Sequence, residues 1–122
     1  MIKEQEEMLN DTINHFNSGN RSDADGVGEG CKYAPAHLKT EGCAIGRLIE
    51  DKSLCIEFDN LGGFTGVNND TIFKKLPLGL QALGKDFLEV VQILHDVSIN
   101  WSEKGLSEEG VKEVNQIRKK FK

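Results

Sequence analysis

The side chains of this 122-residue chain best suited to covalent or metal chemistry are three cysteines and three histidines. Cys43 and His95 could form a nucleophile and its base. Cys43 is predicted near the start of a short helix, where the helix dipole favours a thiolate, and His95 could accept the thiol proton. Asp96 follows His95 directly, so on a helix the two side chains diverge by about 100°. We therefore expect any carboxylate that orients the imidazole to come from elsewhere in the chain.

The same residue types could instead bind zinc. Four ligands are available in sequence order, namely Cys31, His37, Cys43 and Cys55. Zinc sites usually contain a close Cys-x-x-Cys pair, which this chain lacks. The number of cysteines is odd and the N-terminus carries no export signal, which favours free thiols over a disulfide framework. We predict buried thiols, with no metal and no cofactor.

Two glycine-rich loops, at 26–30 and 62–66, flank the predicted β region, and five cationic or aromatic side chains are the candidate ligand contacts. They are Arg21, Lys32, Tyr33, Arg47 and Trp101. Arginine and lysine bind anions, and aromatic rings stack on planar groups, although a lone tryptophan is more often a core residue. Because the catalytic and zinc arrangements each lack a part, the favoured function is non-catalytic binding. A cysteine-dependent enzyme that uses Cys43 and His95 is the alternative.

Composition narrows the class of partner. The net charge is -5, which disfavours nucleic acid because a basic face supplies most of that affinity. Only the last residues, 118–122, are basic, and cations there complement the C-terminus of a helix. No apolar run approaches the roughly 20 residues of a membrane span. We expect a cytoplasmic protein that binds another protein or a small anionic ligand and has no membrane partner.

Hydrophobic spacing predicts the elements that position these residues. Helices are expected at 2–17, 43–50, 71–76 and 79–98, and after the N-cap Ser107. The helix at 79–98 has the widest apolar face and is expected to be central.

Two short runs predict a β-hairpin. Leu54, Ile56 and Phe58 alternate with polar residues, and the segment 64–67 could return after a glycine turn. Residues 31–33 could add a short strand. The predicted fold is an α+β, mostly helical single domain over 1–122, with a small antiparallel β-hairpin packed on the central helix. Self-association through the first or last helix stays open.

Several short motifs resemble a group of small uncharacterised proteins of phages and bacteria. The matching positions are Arg21-Ser22, Cys31, Tyr33, the segment 43–49, Gln92, Leu94, His95, Asp96 and Trp101. The group has no known activity. The resemblance implies a phage or prophage setting, in which small proteins often bind a host or defence-system component.

Overall fold

The structure is a computed structural model that describes residues 1–17, 44–64 and 66–122, with all side chains except those of Lys52 and Asp59. The α-helices of this part are α1 Lys3–His15, α2 Lys52–Asn60, α3 Asn69–Lys75, α4 Leu78–Gln81, α5 Lys85–Asp96 and α6 Glu108–Lys120. Two 3-10 turns, Gly46–Leu48 and Ser98–Asn100, and two strands, β1 Trp101–Ser102 and β2 Gly105–Leu106, complete it. The mostly helical α+β fold with a small antiparallel hairpin is confirmed. No helix in the described ranges is long and apolar enough to cross a membrane.

Helix α5 is the central element. Its apolar positions recur with the spacing of one helical face, and Phe87, Leu88, Val91 and Leu94 are all buried. The predicted helix at 79–98 is divided in the structure, because Gly84 adopts a φ of 90° between α4 and α5. This conformation favours glycine and interrupts the helix.

The strand predicted at 54–58 is wrong, because these residues form part of helix α2. Asp51 caps the helix: its Oδ1 accepts hydrogen bonds from the N–H groups of Ser53 and Leu54 at 3.0 and 3.3 Å. Cys55 and Phe58 are fully buried, whereas Ile56 is 55% exposed, so the buried spacing is helical rather than alternating.

The predicted return strand at 64–67 is also absent among its described residues, which lie in turns and bends. The helix α2 ends instead in two glycines of positive φ, Gly62 and Gly63, and the N–H of Gly63 donates to the carbonyl of Phe58 at 3.0 Å. This hydrogen bond is typical of a glycine C-cap.

The hairpin of the structure lies further along the chain. β1 and β2 pair antiparallel, with Trp101 opposite Leu106 and Ser102 opposite Gly105. Gly105 has a φ of 126°, a conformation that glycine adopts readily. Because Trp101 is buried against the end of α5, the hairpin packs on the central helix, as the fold class predicted.

The predicted N-cap of α6 is confirmed. The hydroxyl of Ser107 accepts a hydrogen bond from the N–H of Gly110 at 3.1 Å. Val114 and Ile117 are buried as expected. The apolar spacing of Val111 with Val114 and Ile117 predicts that Val111 also faces inward, but it is 47% exposed. Gly110 occupies the tightly packed position beside it.

Residues 44–49, which we call the strap, form a 3-10 turn rather than the predicted α-helix. Their apolar stripe is nevertheless confirmed, since Ala44, Ile45 and Ile49 are at most 1% exposed. The N–H groups of Leu48 and Ile49 donate to the carbonyls of Ile45 and Gly46. The strap is therefore a compact turn whose apolar side belongs to the core.

Candidate functional site

Three residues that the sequence singled out for chemistry meet around Phe16, at the end of α1. The ring of Phe16 makes edge-on contacts with the rings of His95 and Trp101, at centroid distances of 4.6 and 6.1 Å. The guanidinium carbon of Arg47 lies 5.5 Å from the centre of the same ring. We call Phe16, Arg47, His95 and Trp101 the Phe16 cluster. Edge-on aromatic pairs and cation–π contacts each stabilise by roughly 0.5–1.5 kcal/mol.

The tryptophan of the cluster also terminates α5. The last carbonyls of a helix have no partner within the helix. Trp101 Nε1 donates to the carbonyls of Leu94 and His95 at 3.0 and 3.2 Å, and Asn100 Nδ2 donates to that of Leu94 at 3.1 Å. Trp101 is 5% exposed, so its indole belongs to the core. Its role as a stacking surface for a ligand stays a prediction, and this position favours the structural role.

His95 belongs to a buried polar network with Gln92 and Asp96. His95 Nδ1 lies 2.9 Å from Asp96 Oδ1, and Gln92 Nε2 donates to the same oxygen at 2.7 Å. A carboxylate has only acceptors, so the Nδ1 atom of His95 carries the proton. Gln92 Oε1 then accepts the N–H of Ile45 at 3.3 Å, which joins the strap to α5. We call the three side chains of Gln92, His95 and Asp96 the α5 network.

The expectation that Asp96 could not orient His95 is wrong. Asp96 is the last residue of α5, and its side chain turns back along the helix to reach both Gln92 and His95. The imidazole is fully buried and the carboxylate is about three quarters buried. The pair has the polarity of a base and its orienting carboxylate, but the buried ring is also packed on Phe16.

Arg47 extends from the strap to α1. Its Nη2 atom donates to Asp11 Oδ2, and 12% of its side chain is exposed. An arginine has five N–H donors in a planar fork, so one carboxylate leaves further donors on the guanidinium. Its predicted role as an anion contact is untested, and an anion would share the guanidinium with Asp11.

The other predicted site residues lie outside the described residues. These are Arg21, Lys32 and Tyr33 among the ligand contacts, Cys43 as the alternative nucleophile, and Cys31 and His37 of the zinc arrangement. Cys55 is described: it is buried, and its Sγ lies 3.6 Å from the carbonyl of Gly46. Within the described ranges, no group of three or more His, Cys, Asp or Glu is placed to hold a metal ion.

The sequence reasoning missed Phe16 and Gln92 as parts of this region. Sequence spacing predicts Phe16 only as one apolar position of the first helix, and it places Gln92 on the solvent face of the central helix. Gln92 is 2% exposed. One signal was available: Gln92, His95 and Asp96 follow the i, i+3, i+4 spacing of neighbours on a helix, which allows their side chains to meet.

Comparisons of the chain with protein-family models, with curated proteins and with solved structures found no match.

Proposed function

We propose that this chain is a non-catalytic binding or accessory protein that acts in the cytoplasm of a bacterial host and is encoded by a phage or prophage. Its ligand is a host or defence-system protein, or a small anionic, nucleotide-like molecule. The phage setting rests on the resemblance of the short motifs. The binding role rests on the residue types of the candidate contacts, of which Arg47 is described.

One observation carries the non-catalytic role: the buried imidazole of His95 takes part in a network that holds the fold. A general base must lie within hydrogen-bond reach of the proton that it removes from a substrate. His95 is fully buried, packs on Phe16 and is bound to Asp96, and Asp96 is bound to Gln92. These contacts give the imidazole a structural role that needs no substrate.

The binding surface is proposed to include Arg21, Lys32 and Tyr33 together with Arg47. Two of the three cations, Arg21 and Arg47, carry the planar fork that suits phosphate and carboxylate oxygens. Arg47 is held by Asp11 and Phe16, so its guanidinium is oriented before any ligand arrives. Orientation in advance reduces the entropy lost on binding.

Copurification from bacterial cells tests the proposal. The tagged protein is purified from cells, and native mass spectrometry and proteomics identify proteins or small molecules that remain bound. Isothermal titration with ATP then tests the nucleotide-like ligand directly. Lys32→Ala and Tyr33→Ala should weaken retention of the bound species by about tenfold or more, the effect of about 1.4 kcal/mol. Lys112→Ala, which removes an exposed lysine on α6, is the matched control and should retain it.

The variant Cys43→Ser separates binding from catalysis. A binding protein that still folds should keep its partner when this thiol is removed. If no species copurifies with the wild type and ATP does not bind, the binding function is refuted. If Cys43→Ser folds but loses an effect that the wild type has, the role is catalytic.

A cysteine-dependent enzyme is the second candidate function, and one contact favours it. His95 Nδ1 bonds to Asp96, which is how a carboxylate orients a catalytic imidazole. An activated Cys43 would react with iodoacetamide at neutral pH faster than free cysteine does. Labelling no faster than that of free cysteine would eliminate this candidate.

A further inference from the structure

Gln92 occupies a position in which only one arrangement of donors and acceptors satisfies its neighbours. On one side the N–H of Ile45 requires an acceptor, and on the other Asp96 Oδ1 requires a donor. The amide supplies both, with Oε1 toward the strap and Nε2 toward Asp96. A flipped amide would face the N–H of Ile45 with a second donor. Asp96 therefore fixes the orientation of Gln92.

The described strap is not part of an α-helix or a β-sheet, so individual side-chain contacts hold it against the helices. Among the described residues, the strap also contacts two other helices, through Arg47 with Asp11 of α1 and through the carbonyl of Gly46 with Cys55 of α2. Each connects the strap to a different helix. In the contact with Gln92, a buried side chain accepts a hydrogen bond from a buried backbone N–H. An unpaired buried N–H is costly, so this contact strongly constrains where the strap can lie.

We propose that Gln92 is a positioning residue, which latches the strap to α5 and thereby sets the position of Arg47 on Phe16 and Asp11. Asp96, which also bonds to His95, determines that the Gln92 amide turns its oxygen toward the strap. The consequence for ligand binding rests on the proposed function, because Arg47 is the described candidate contact. The latch itself is tested without any ligand.

Gln92→Glu gives a test with a pH-dependent readout. A protonated glutamic acid can donate to Asp96 and accept from Ile45, so it reproduces the pattern of the amide. An ionised glutamate has acceptors only and places a second carboxylate against Asp96 Oδ1, which raises the pKa of a carboxyl pair. A raised pKa in the folded state means that the latch is intact at low pH and is lost as the pH rises through that value.

Other titratable or charged groups pack around position 92 in the described structure. Asp96 bonds to Gln92 directly, and His95 shares the same oxygen of Asp96. On the elements packed against this part of α5, Arg47 pairs with Asp11, Cys55 contacts the carbonyl of Gly46, and His15 packs on Phe16. All of them are present in the wild type as well. The comparison is therefore between variant and wild type at each pH.

Amide hydrogen exchange of peptides that cover 44–49 measures the latch. At pH 8 these amides should exchange about tenfold or more faster in Gln92→Glu than in the wild type, the effect of one pKa unit of differential interaction. At pH 5 the ratio should return toward one. Peptides from α6 should keep the wild-type rate at both values.

Two further variants keep the test decisive if Gln92→Glu folds poorly. Gln92→Met keeps the size of the side chain but removes both hydrogen bonds, so exchange in 44–49 should rise without a pH dependence. Gln81→Glu is the matched control, because the Gln81 amide donates to the carbonyls of Leu76 and Lys74, away from the strap. It should leave exchange in 44–49 unchanged. Wild-type exchange of the strap in Gln92→Met, or equal acceleration of α6 and the strap, would overturn the latch.

Discussion

At Gly110 the backbone of α6 lies close to that of Asn100, and replacing this glycine by alanine should separate the two segments. Gly110 is the third residue of α6. A Cβ atom added there would lie 2.1 Å from the carbonyl oxygen of Asn100 and 2.7 Å from Leu106 Cδ2. Real Cβ contacts are essentially never shorter than 3.0 Å, so the backbones would have to part by at least 0.9 Å (3.0 minus 2.1).

This separation of the backbones would break or weaken hydrogen bonds at the N-terminus of α6. The carbonyl of Asn100 accepts the N–H of Ser107 at 2.9 Å, and Ser107 in turn caps Gly110. Loss of one such hydrogen bond costs about 1 kcal/mol, and overpacking costs about 1–3 kcal/mol. Alanine offsets about 1 kcal/mol of this because it is the better helix former. The net prediction for Gly110→Ala is a free energy of unfolding lower by about 1–3 kcal/mol.

Urea denaturation followed by circular dichroism measures this change. With a slope of about 2 kcal/mol per molar urea, the midpoint should fall by about 0.5–1.5 M. Gly79→Ala is the control, since Gly79 lies in α4 and a Cβ there meets nothing within 4 Å. The control should be as stable as the wild type, or more stable by up to about 1 kcal/mol. If both variants unfold at the same midpoint, the close approach at Gly110 does not constrain the fold.

The remaining predictions concern the tryptophan and one surface ion pair. Trp101→Phe removes the donor to the carbonyls of Leu94 and His95 and leaves a cavity, so the free energy of unfolding should fall by about 2–3 kcal/mol in urea; an unchanged midpoint would contradict the core role. The hydrogen bond from Lys85 lowers the pKa of Asp70 and, reciprocally, raises the pKa of Lys85. The pair therefore stabilises the fold between those two values, and its contribution is lost as the pH falls through the lowered carboxyl pKa or rises through the raised ammonium pKa. In urea denaturation at low salt and pH 7, Asp70→Asn should be slightly less stable than the wild type. The two proteins should be equally stable below the pKa of the Asp70 carboxyl, or in 1 M salt. A difference in stability that persists in acid would refute the pairing.

The elements with capping residues and a single clear period could be predicted from the sequence. Ser107 with its following acidic residues located the start of α6, and the apolar face of α5 located the central helix. The prediction for the residues of α2 was wrong because their apolar positions fit both the period of a strand and that of a helix. Leu54, Ile56 and Phe58 alternate as in a strand, while Leu54, Cys55 and Phe58 follow a helix, and the cap at Asp51 decides for the helix.

The hairpin could not be predicted because each of its strands has two residues. Periodicity needs several residues of one kind of element before it can be recognised. What holds β1 and β2 in place is the indole of Trp101 on the end of α5, a tertiary contact with no local signature. The fold class was therefore predicted correctly, but the hairpin was expected at 54–67 and lies at 101–106, where a tertiary contact stabilises it.

The roles of the candidate site residues likewise depend on tertiary contacts that have no local signature in the sequence. Histidine, tryptophan and arginine serve both reactive sites and protein interiors, so their types alone leave both roles open. The atoms that they contact decide between the roles. The indole N–H caps α5, the imidazole Nδ1 bonds to Asp96, and the Arg47 guanidinium bonds to Asp11 over Phe16.

Helix α5 contacts both the end of α1 and the strap, through two of its buried side chains. Phe16 ends α1, and Ile45 lies in the strap, and both are held by the last two turns of α5 through His95 and Gln92. His95 and Gln92 share one oxygen of Asp96, so a change at either residue alters the hydrogen bonding of the other. Mutations at Gln92 and His95 should therefore be non-additive in their effects on the free energy of unfolding. His95, which first suggested catalysis, therefore couples α1, the strap and the central helix together with Gln92.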